Sequence, residues 1–324
     1  MPHAILVRQP GGAEQLGWEE VEVGDPGPGQ VRLKQTAVGL NFIDVYHRSG
    51  QYPQPSPFIP GVEGAGIVDA IGADVTGVKT GDRVAYAGPM GGYAEMRLIA
   101  ADRLVKLPDD ISDEQAAAMM LQGMTVDMLI RSVWPLHAED TILIHAAAGG
   151  VGLIMCQWAA ALGATVIGAV SSEEKAELAR AHGCHHPIIY SKQDFVAEVD
   201  RLTGGKKLPV VYDSVGRDTF LRSLDCLQKR GLMVSFGQAS GPVEPFTPRV
   251  LAQKGSLYLT RPTLFDYIST REELDRSAAS LFDAVRSGKV KIDIGQRFPL
   301  AEAAEAHRAL EARKTVGSTI LTIG

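Results

Sequence analysis

The sequence predicts a two-part α/β chain: a β-rich first third, then a doubly wound parallel sheet with helices on both faces. Three observations carry this. The first hundred residues hold short runs that alternate apolar and polar positions between glycine turns. From Ser112 onward, apolar runs alternate with stretches of helical period. Those later apolar runs do not alternate, as expected of strands covered by helices on both sides.

Taken in order, residues 31–38, 66–71, 82–86 and 93–99 read as strands, each bounded by Gly, Asp or Pro, which suggests a small barrel or sandwich. Pro53, Pro55, Pro57 and Pro60 exclude regular structure between 52 and 60, so a surface loop is expected. Ser112 and Gln115 have capping-box spacing and predict a helix over 116–130. Strands follow at 141–147, 164–170, 209–213, 232–236 and 256–260. The helices between them cover 151–162, 173–182, 193–202 and 218–229. Gly163, Gly183 and Gly231 fall where helix C-terminal caps belong. The tail predicts helices at 271–287 and 301–312 and a last strand at 318–323.

Composition narrows the function. The chain has 324 residues, a net charge of −6, 45% hydrophobic and 22% charged residues, so it can bury a substantial core. The acidic balance and the lack of a basic cluster argue against a nucleic-acid surface. No run of 18 apolar residues exists, so no membrane span is predicted. Residues 1–12 lack the plan of a secretory leader. Cys156, Cys184 and Cys226 are odd in number and widely spaced, which fits a reduced, cytoplasmic protein.

The most specific motif lies at 142–155, where a strand, a glycine turn and a helix start follow one another. The turn reads Ala146-Ala147-Ala148-Gly149-Gly150-Val151-Gly152. Glycines there let the backbone approach a pyrophosphate, and the N–H groups of the following helix face the anion. Ala146, Gly149, Gly150, Val151 and Gly152 are therefore expected to bind a dinucleotide. An NAD site usually ends its second strand in Asp or Glu. This strand ends in Ser171 and Ser172, with Lys175 one turn on and Tyr190 closing the next apolar run. Hydroxyls, an ammonium and a phenol suit a 2′-phosphate, so NADPH is the expected cofactor. Against this stand Glu173 and Glu174, which would serve as the ribose acid if the strand ended later. Ser172 also reads as a helix N-cap.

These segments, in their order and spacing, resemble the medium-chain dehydrogenase/reductase superfamily over essentially the whole chain. Within it, the chain is similar to the zinc-free, zeta-crystallin-like quinone oxidoreductases. The resemblance rests on residues 38–46, 60–66, 81–86, 92–95, 146–152, 211–216 and 231–237. It implies a chaperonin-10-like β domain, 1–123 completed by 264–324, around a Rossmann nucleotide domain, 124–263. It also implies a cleft between them for nicotinamide and substrate, and a homodimer formed through the strand at 256–260. In the zinc alcohol dehydrogenases of the superfamily, a ligand Cys lies near the start of the segment that here reads Gly39-Leu40-Asn41, and a ligand His stands where this chain has Val62. No Cys occurs before Cys156, and the four-Cys lobe after the 82–86 strand is missing, so no zinc site is expected. His185 and His186 read as surface residues.

Without a metal, the favoured acceptor is one whose product anion is stable by itself. A quinone gives a delocalised hydroquinone anion, and an enone or enal gives an enolate. By resemblance, Asn41, Tyr46 and Tyr52 face the nicotinamide. Asn41 would hold ribose or acceptor, Tyr46 would bond a quinone oxygen, and Tyr52 would stack on the ring. Asp44 and His47 read as a solvated helix face, with a proton relay as the alternative. Thr125 resembles a residue placed near the carboxamide. Gly216, Phe236 and Gly237 end strands at the carboxyl edge, where ligands sit in such sheets. Arg261 would meet a phosphate, a substrate oxygen or an interface partner, and Gly317 lies in a segment near the nicotinamide. The leading reading is an NADPH-dependent quinone reductase. A reductase of enone or enal C=C bonds is the nearest alternative, and a crystallin-like or RNA-binding dinucleotide protein with little turnover is the alternative of another class.

Overall fold

The computed structural model describes residues 1–324 and divides them into two compact units: residues 1–124, 268–283 and 292–324, and residues 125–267 with 284–291. In the first unit the chain runs through β1 (His3–Val7), β2 (Leu16–Glu20), β3 (Gln30–Leu40), α1 (Phe42–Arg48), β4 (Glu63–Ile71), β5 (Arg83–Ala87), β6 (Met96–Ala100) and β7 (Val105–Lys106). The helices α2 (Asp113–Ala117) and α3 (Met120–Asp127) follow. β1 and β2 pair as a separate antiparallel ribbon.

The second unit contains β8 (Thr141–His145), α4 (Gly150–Ala161), β9 (Thr165–Val170), α5 (Glu173–Ala181), β10 (His186–Ile189), α6 (Phe195–Thr203), β11 (Leu208–Asp213), α7 (Phe220–Ser223), β12 (Leu227–Ser235), α8 (Arg249–Gln253), β13 (Tyr258–Thr260) and α9 (Leu264–Tyr267). Its six strands are all parallel, in the order β10-β9-β8-β11-β12-β13. That order reverses direction beside β8, and ligands bind at the carboxyl ends of strands flanking such a switch point. Ile142, Leu143 and Ile144 of β8 are all fully buried, which accounts for the unbroken apolar runs. Gly163 and Gly183 follow the ends of α4 and α5 with positive φ, as helix-terminating glycines do.

The tail adds α10 (Arg271–Arg286), β14 (Ile294–Pro299), α11 (Ala303–Glu311) and β15 (Ser318–Thr322). β15 pairs antiparallel with β3, giving a seven-stranded sheet in which six strands follow the path β14-β15-β3-β4-β5-β7 and β6 pairs off it with β3. The tail therefore completes the β-rich sheet. β1, β2 and β14 carry weak patterns and were not expected. β14 alternates half-buried with exposed residues and so lacks an apolar signal.

Three expectations are corrected. The helix expected over 116–130 is broken into α2, α3 and a wider π turn, Met128–Val133. One cause is tertiary: the Leu121 N–H donates to Glu63 Oε1 at 2.7 Å, so a buried side chain takes a donor from the helical ladder. The helix expected over 218–229 shrinks to α7 and one 3₁₀ turn. β12 starts at Leu227, so Gly231 lies inside a strand and caps no helix. The third concerns Asp44 and His47, which are buried, at 0% and 7% exposed, and form no solvated face.

Candidate active site

Two groups of site residues emerge, one in each unit. In the β-rich unit, β3 ends at Leu40 and Asn41 caps α1. The Asn41 backbone N–H donates to the Asp44 carboxylate at 2.9 Å, fixing the start of the helix. Around this cap runs a buried chain of side chains. Ser318 Oγ donates to Gln122 Oε1 at 2.7 Å, Gln122 Nε2 to Asn41 Oδ1 at 3.1 Å, and Asn41 Nδ2 to Glu63 Oε2 at 2.7 Å. Gly39 leaves the room: a Cβ there would lie 2.3 Å from Glu63 Oε2 and 2.3 Å from the Ala117 carbonyl oxygen. Glu63 is fully buried, and burial pushes its carboxyl up to about 8.

Tyr46, on α1, is buried, and Tyr52 is half-buried. Their rings meet edge to face at 5.2 Å, and the Tyr52 N–H donates to the Tyr46 carbonyl at 3.0 Å. Phe42 and His47 extend this aromatic cluster. Beneath α1 lies a second buried network. Arg48 pairs with Glu311 through both Nη atoms and bonds His307 Nδ1 at 3.2 Å. Since Arg48 only donates, His307 Nδ1 accepts and Nε2–H donates to Tyr93 Oη at 3.1 Å. Tyr93 in turn donates to Asp44 Oδ2 at 3.0 Å. Burial pushes Asp44 up to about 7, against the hydrogen bonds it accepts. Gly317 has positive φ and precedes Ser318, whose N–H is held by the Asp293 carbonyl.

In the nucleotide unit, Ala146 takes the left-handed conformation, φ 55°, directly after β8. α4 opens at Gly150 with Gly149 as its cap, so the N–H groups of Gly150, Val151 and Gly152 have no helical carbonyl to meet. A Cβ on Gly149 would touch only the Ala146 oxygen, at 3.3 Å, leaving open space above the turn. A Cβ on Gly152 would lie 2.3 Å from the same oxygen. β9 ends at Val170, and Ser171 and Ser172 follow directly. Ser172 caps α5 by accepting the Lys175 N–H at 3.3 Å, Glu173 is held in an ion pair by Lys192 at 2.8 Å, and the Tyr190 side chain is exposed. No carboxylate ends the strand, and Glu173, the first one beyond it, is paired with Lys192. This cradle and its donor set fit a dinucleotide carrying a 2′-phosphate.

The remaining nucleotide-unit candidates sit at strand ends. Asp213 Oδ1 accepts the N–H groups of Val215 and Gly216, and Gly216 has positive φ. Phe236 and Gly237 follow β12. Arg261 Nη1 donates to the Ser235 and Gly237 carbonyls, clamping that end. Thr125 lies on α3. Glu63, Gln122 and Lys192 join these groups without having been singled out from the sequence, and Ser318 joins them from the segment that Gly317 marked. A single acid inside the glycine-rich, apolar run 61–68 was the one available signal.

Zinc does not fit. Asn41 and Val62 stand where ligands would be needed, and no group of three or more His, Cys, Asp or Glu side chains is arranged to hold a metal ion. His185 Nδ1 accepts the Val166 N–H, and His186 opens β10 at the surface.

Comparison with known proteins agrees with this architecture. A family model described as alcohol dehydrogenase GroES-like domain matches residues 27–109, and one described as zinc-binding dehydrogenase matches residues 150–279. A quinone oxidoreductase of Pseudomonas aeruginosa is 55% identical over 313 residues, covering 96% of either chain. The chain belongs to the quinone oxidoreductase branch of the medium-chain dehydrogenase/reductase superfamily. Within that branch, a crystal structure of Escherichia coli quinone oxidoreductase complexed with NADPH superposes with a TM-score of 0.97 at 48% identity, covering 99% of each chain. A 2-haloacrylate reductase of Burkholderia sp. is 47% identical over 99% of each chain. The zinc in the matched model's description has no counterpart among this member's side chains.

Proposed function

We propose that this chain is an NADPH-dependent quinone reductase that uses neither metal nor flavin. The observation that carries the reading is an end-to-end match to a quinone oxidoreductase in a chain whose zinc-ligand positions hold Asn41 and Val62. Bound here, NADPH supplies the hydride and with it the reducing power. The N–H groups of Gly150, Val151 and Gly152, behind the Ala146–Gly149 turn, hold the pyrophosphate. Ser171, Ser172, Lys175 and Tyr190 hold the 2′-phosphate, with Lys192 keeping Glu173 away from it. Thr125, Gly216, Phe236 and Gly237 shape the nicotinamide end of the nucleotide unit, and Arg261 steadies the end of β12. Asn41, Tyr46 and Tyr52 orient the acceptor, whose product anion must be stabilised within its own π system. The 2-haloacrylate reductase relative favours a second reading, reduction of an activated C=C bond.

The deciding experiment is steady-state oxidation of NADPH and NADH with a small quinone, an enone, an enal and a saturated ketone. NADPH-selective turnover with the quinone, and none with the ketone, is expected. Turnover confined to the enone or enal would establish the second reading instead. Lys175→Ala is expected to raise KM for NADPH roughly 10- to 100-fold, the loss of one charged hydrogen bond, and to leave NADH nearly unchanged. An equal effect on both cofactors would remove Lys175 from the phosphate pocket.

The same reading includes a cytoplasmic homodimer. Its support is three free, buried cysteines and an edge strand, β13, that pairs only with β12 while Tyr258 is 62% and Leu259 38% exposed. Sedimentation should give twice the 34.6 kDa chain mass, and Tyr258→Asp should halve it. A wild-type monomer would exclude the dimer.

A further inference from the structure

The chain Ser318–Gln122–Asn41–Glu63 has a direction. Every donor in it points toward Glu63: Ser318 Oγ to Gln122, Gln122 Nε2 to Asn41, Asn41 Nδ2 to Glu63 Oε2, and the Leu121 N–H to Glu63 Oε1. All four residues are buried, at 2%, 7%, 8% and 0% exposed. Donors on both oxygens, with the Met120 N–H beside them, suit a carboxylate. A proton on Oε2 would instead face the Asn41 N–H as donor against donor in a fully buried site. Rotating both amides by half a turn removes it: Glu63 then donates to Asn41 Oδ1, Asn41 Nδ2 to Gln122 Oε1, and Gln122 Nε2 to Ser318 Oγ. Terminal amide torsions are soft and roughly two-fold, and a hydroxyl serves as donor or acceptor, so both directions use the same heavy-atom positions.

We propose that Glu63, Gln122 and Ser318 are positioning residues whose hydrogen-bond direction decides whether Asn41 turns an N–H or a lone pair toward a bound ligand. Within this chain each amide makes one bond through nitrogen and one through oxygen, so reversing it exchanges the places of Asn41's remaining N–H and remaining lone pair, which lies on the capping-box side of α1. The inference rests on the reading that Asn41 contacts cofactor or acceptor. Its proton comes from solvent equilibrium and no covalent step is involved.

The surroundings of Glu63 set where the direction changes. From α3 it meets the N–H groups of Met120 and Leu121, and from β3 the bare Gly39. From α1 comes Asp44, whose charge resists a second one. Tyr86 on β5 and Tyr93 in the segment before β6 interact with it as well, and both phenols are held neutral by burial. No cation forms an ion pair with Glu63. Burial therefore dominates, and the carboxyl loses its proton around pH 8.

Glu63→Gln tests this in the full-length protein. The substituted amide can accept the Leu121 N–H through its oxygen only and must donate to Asn41 through its nitrogen, which fixes the protonated direction at every pH. In wild type, KM for NADPH or quinone should change on the order of 5-fold between pH 6.5 and 9.5, the worth of about one hydrogen bond. The variant should be flat and match wild type at pH 6.5. Independently of turnover, the side-chain amide resonances of Asn41 and Gln122 should step together near pH 8 in wild type and at a lower pH in Asp44→Asn, where the opposing charge is gone, but should not step in Glu63→Gln. Wild-type resonances that do not step, or a step that survives in Glu63→Gln, would overturn the proposal. Stepping resonances beside a flat kinetic profile would sustain the reversible chain and instead overturn the placement of Asn41 against a ligand.

Discussion

Gly152→Val is expected to abolish measurable NADPH binding, raising Kd at least ~100-fold, a loss of ~3 kcal/mol or more. The obstacle is backbone. A Cβ at this position would lie 2.3 Å from the Ala146 oxygen and 2.7 Å from the Cα and carbonyl carbon of Ala147. No side chain can rotate away to make room. The turn is also held from beyond, because the Ala147 N–H donates to the Ala169 carbonyl at 3.1 Å and Ala146 already sits in the left-handed region. A Val side chain must therefore push the turn off the end of α4, where the free N–H groups lie. Gly149→Ala is the control. Its methyl meets one atom at 3.3 Å, so the turn keeps its shape and lost affinity reports space taken from the ligand. Titration of intrinsic fluorescence with NADPH, beside thermal unfolding, separates the two. Normal affinity in Gly152→Val would remove this turn from the cofactor site.

Arg48→Met should destabilise the protein by about 3 kcal/mol in urea unfolding. Arg48 is 2% exposed and spans from α1 to α11, holding Glu311, His307 Nδ1 and the Gly11 carbonyl at once. Methionine keeps most of the packing of the stem and removes every donor. Glu311 is partly exposed and regains water, but the ring nitrogen of the fully buried His307 does not. Glu311→Gln should therefore cost much less, at most about 1 kcal/mol. A midpoint for Arg48→Met within about 1 kcal/mol of wild type would show that the network contributes little. Burial first, then the Arg48 charge, hold His307 down to about 3. Its unfolded value is higher, so the unfolded chain binds the extra proton. This contribution is present above pH ~6.5 and is lost as pH falls toward 3.

Much of this protein was legible one residue type at a time. The glycine turn between β8 and α4, the hydroxyls closing β9 and the glycines ending α4 and α5 are local events. They depend on backbone freedom and on the character of adjacent side chains, so chain order alone displays them. The absence of zinc ligands is equally local, because a metal needs particular donors and Val62 is not one.

What folding decided involves partners far apart in sequence. β15 reaches β3 across nearly the whole chain, and no periodicity announces that pairing. The helix expected over 116–130 was interrupted in part because Glu63, 58 residues earlier, takes the Leu121 N–H near the start of α3. Asp44 and His47 carry the residue types of a solvated face yet are buried, since Tyr93, reaching in from the segment before β6, donates to Asp44 and the Tyr52 ring packs against His47. Ser318, Gln122 and Glu63 became neighbours of Asn41 only in three dimensions. Local propensity and turn chemistry act over a few residues and are written in sequence order. Burial and the hydrogen bonds it enforces act over distance, and only the folded chain sets which polar groups must satisfy one another.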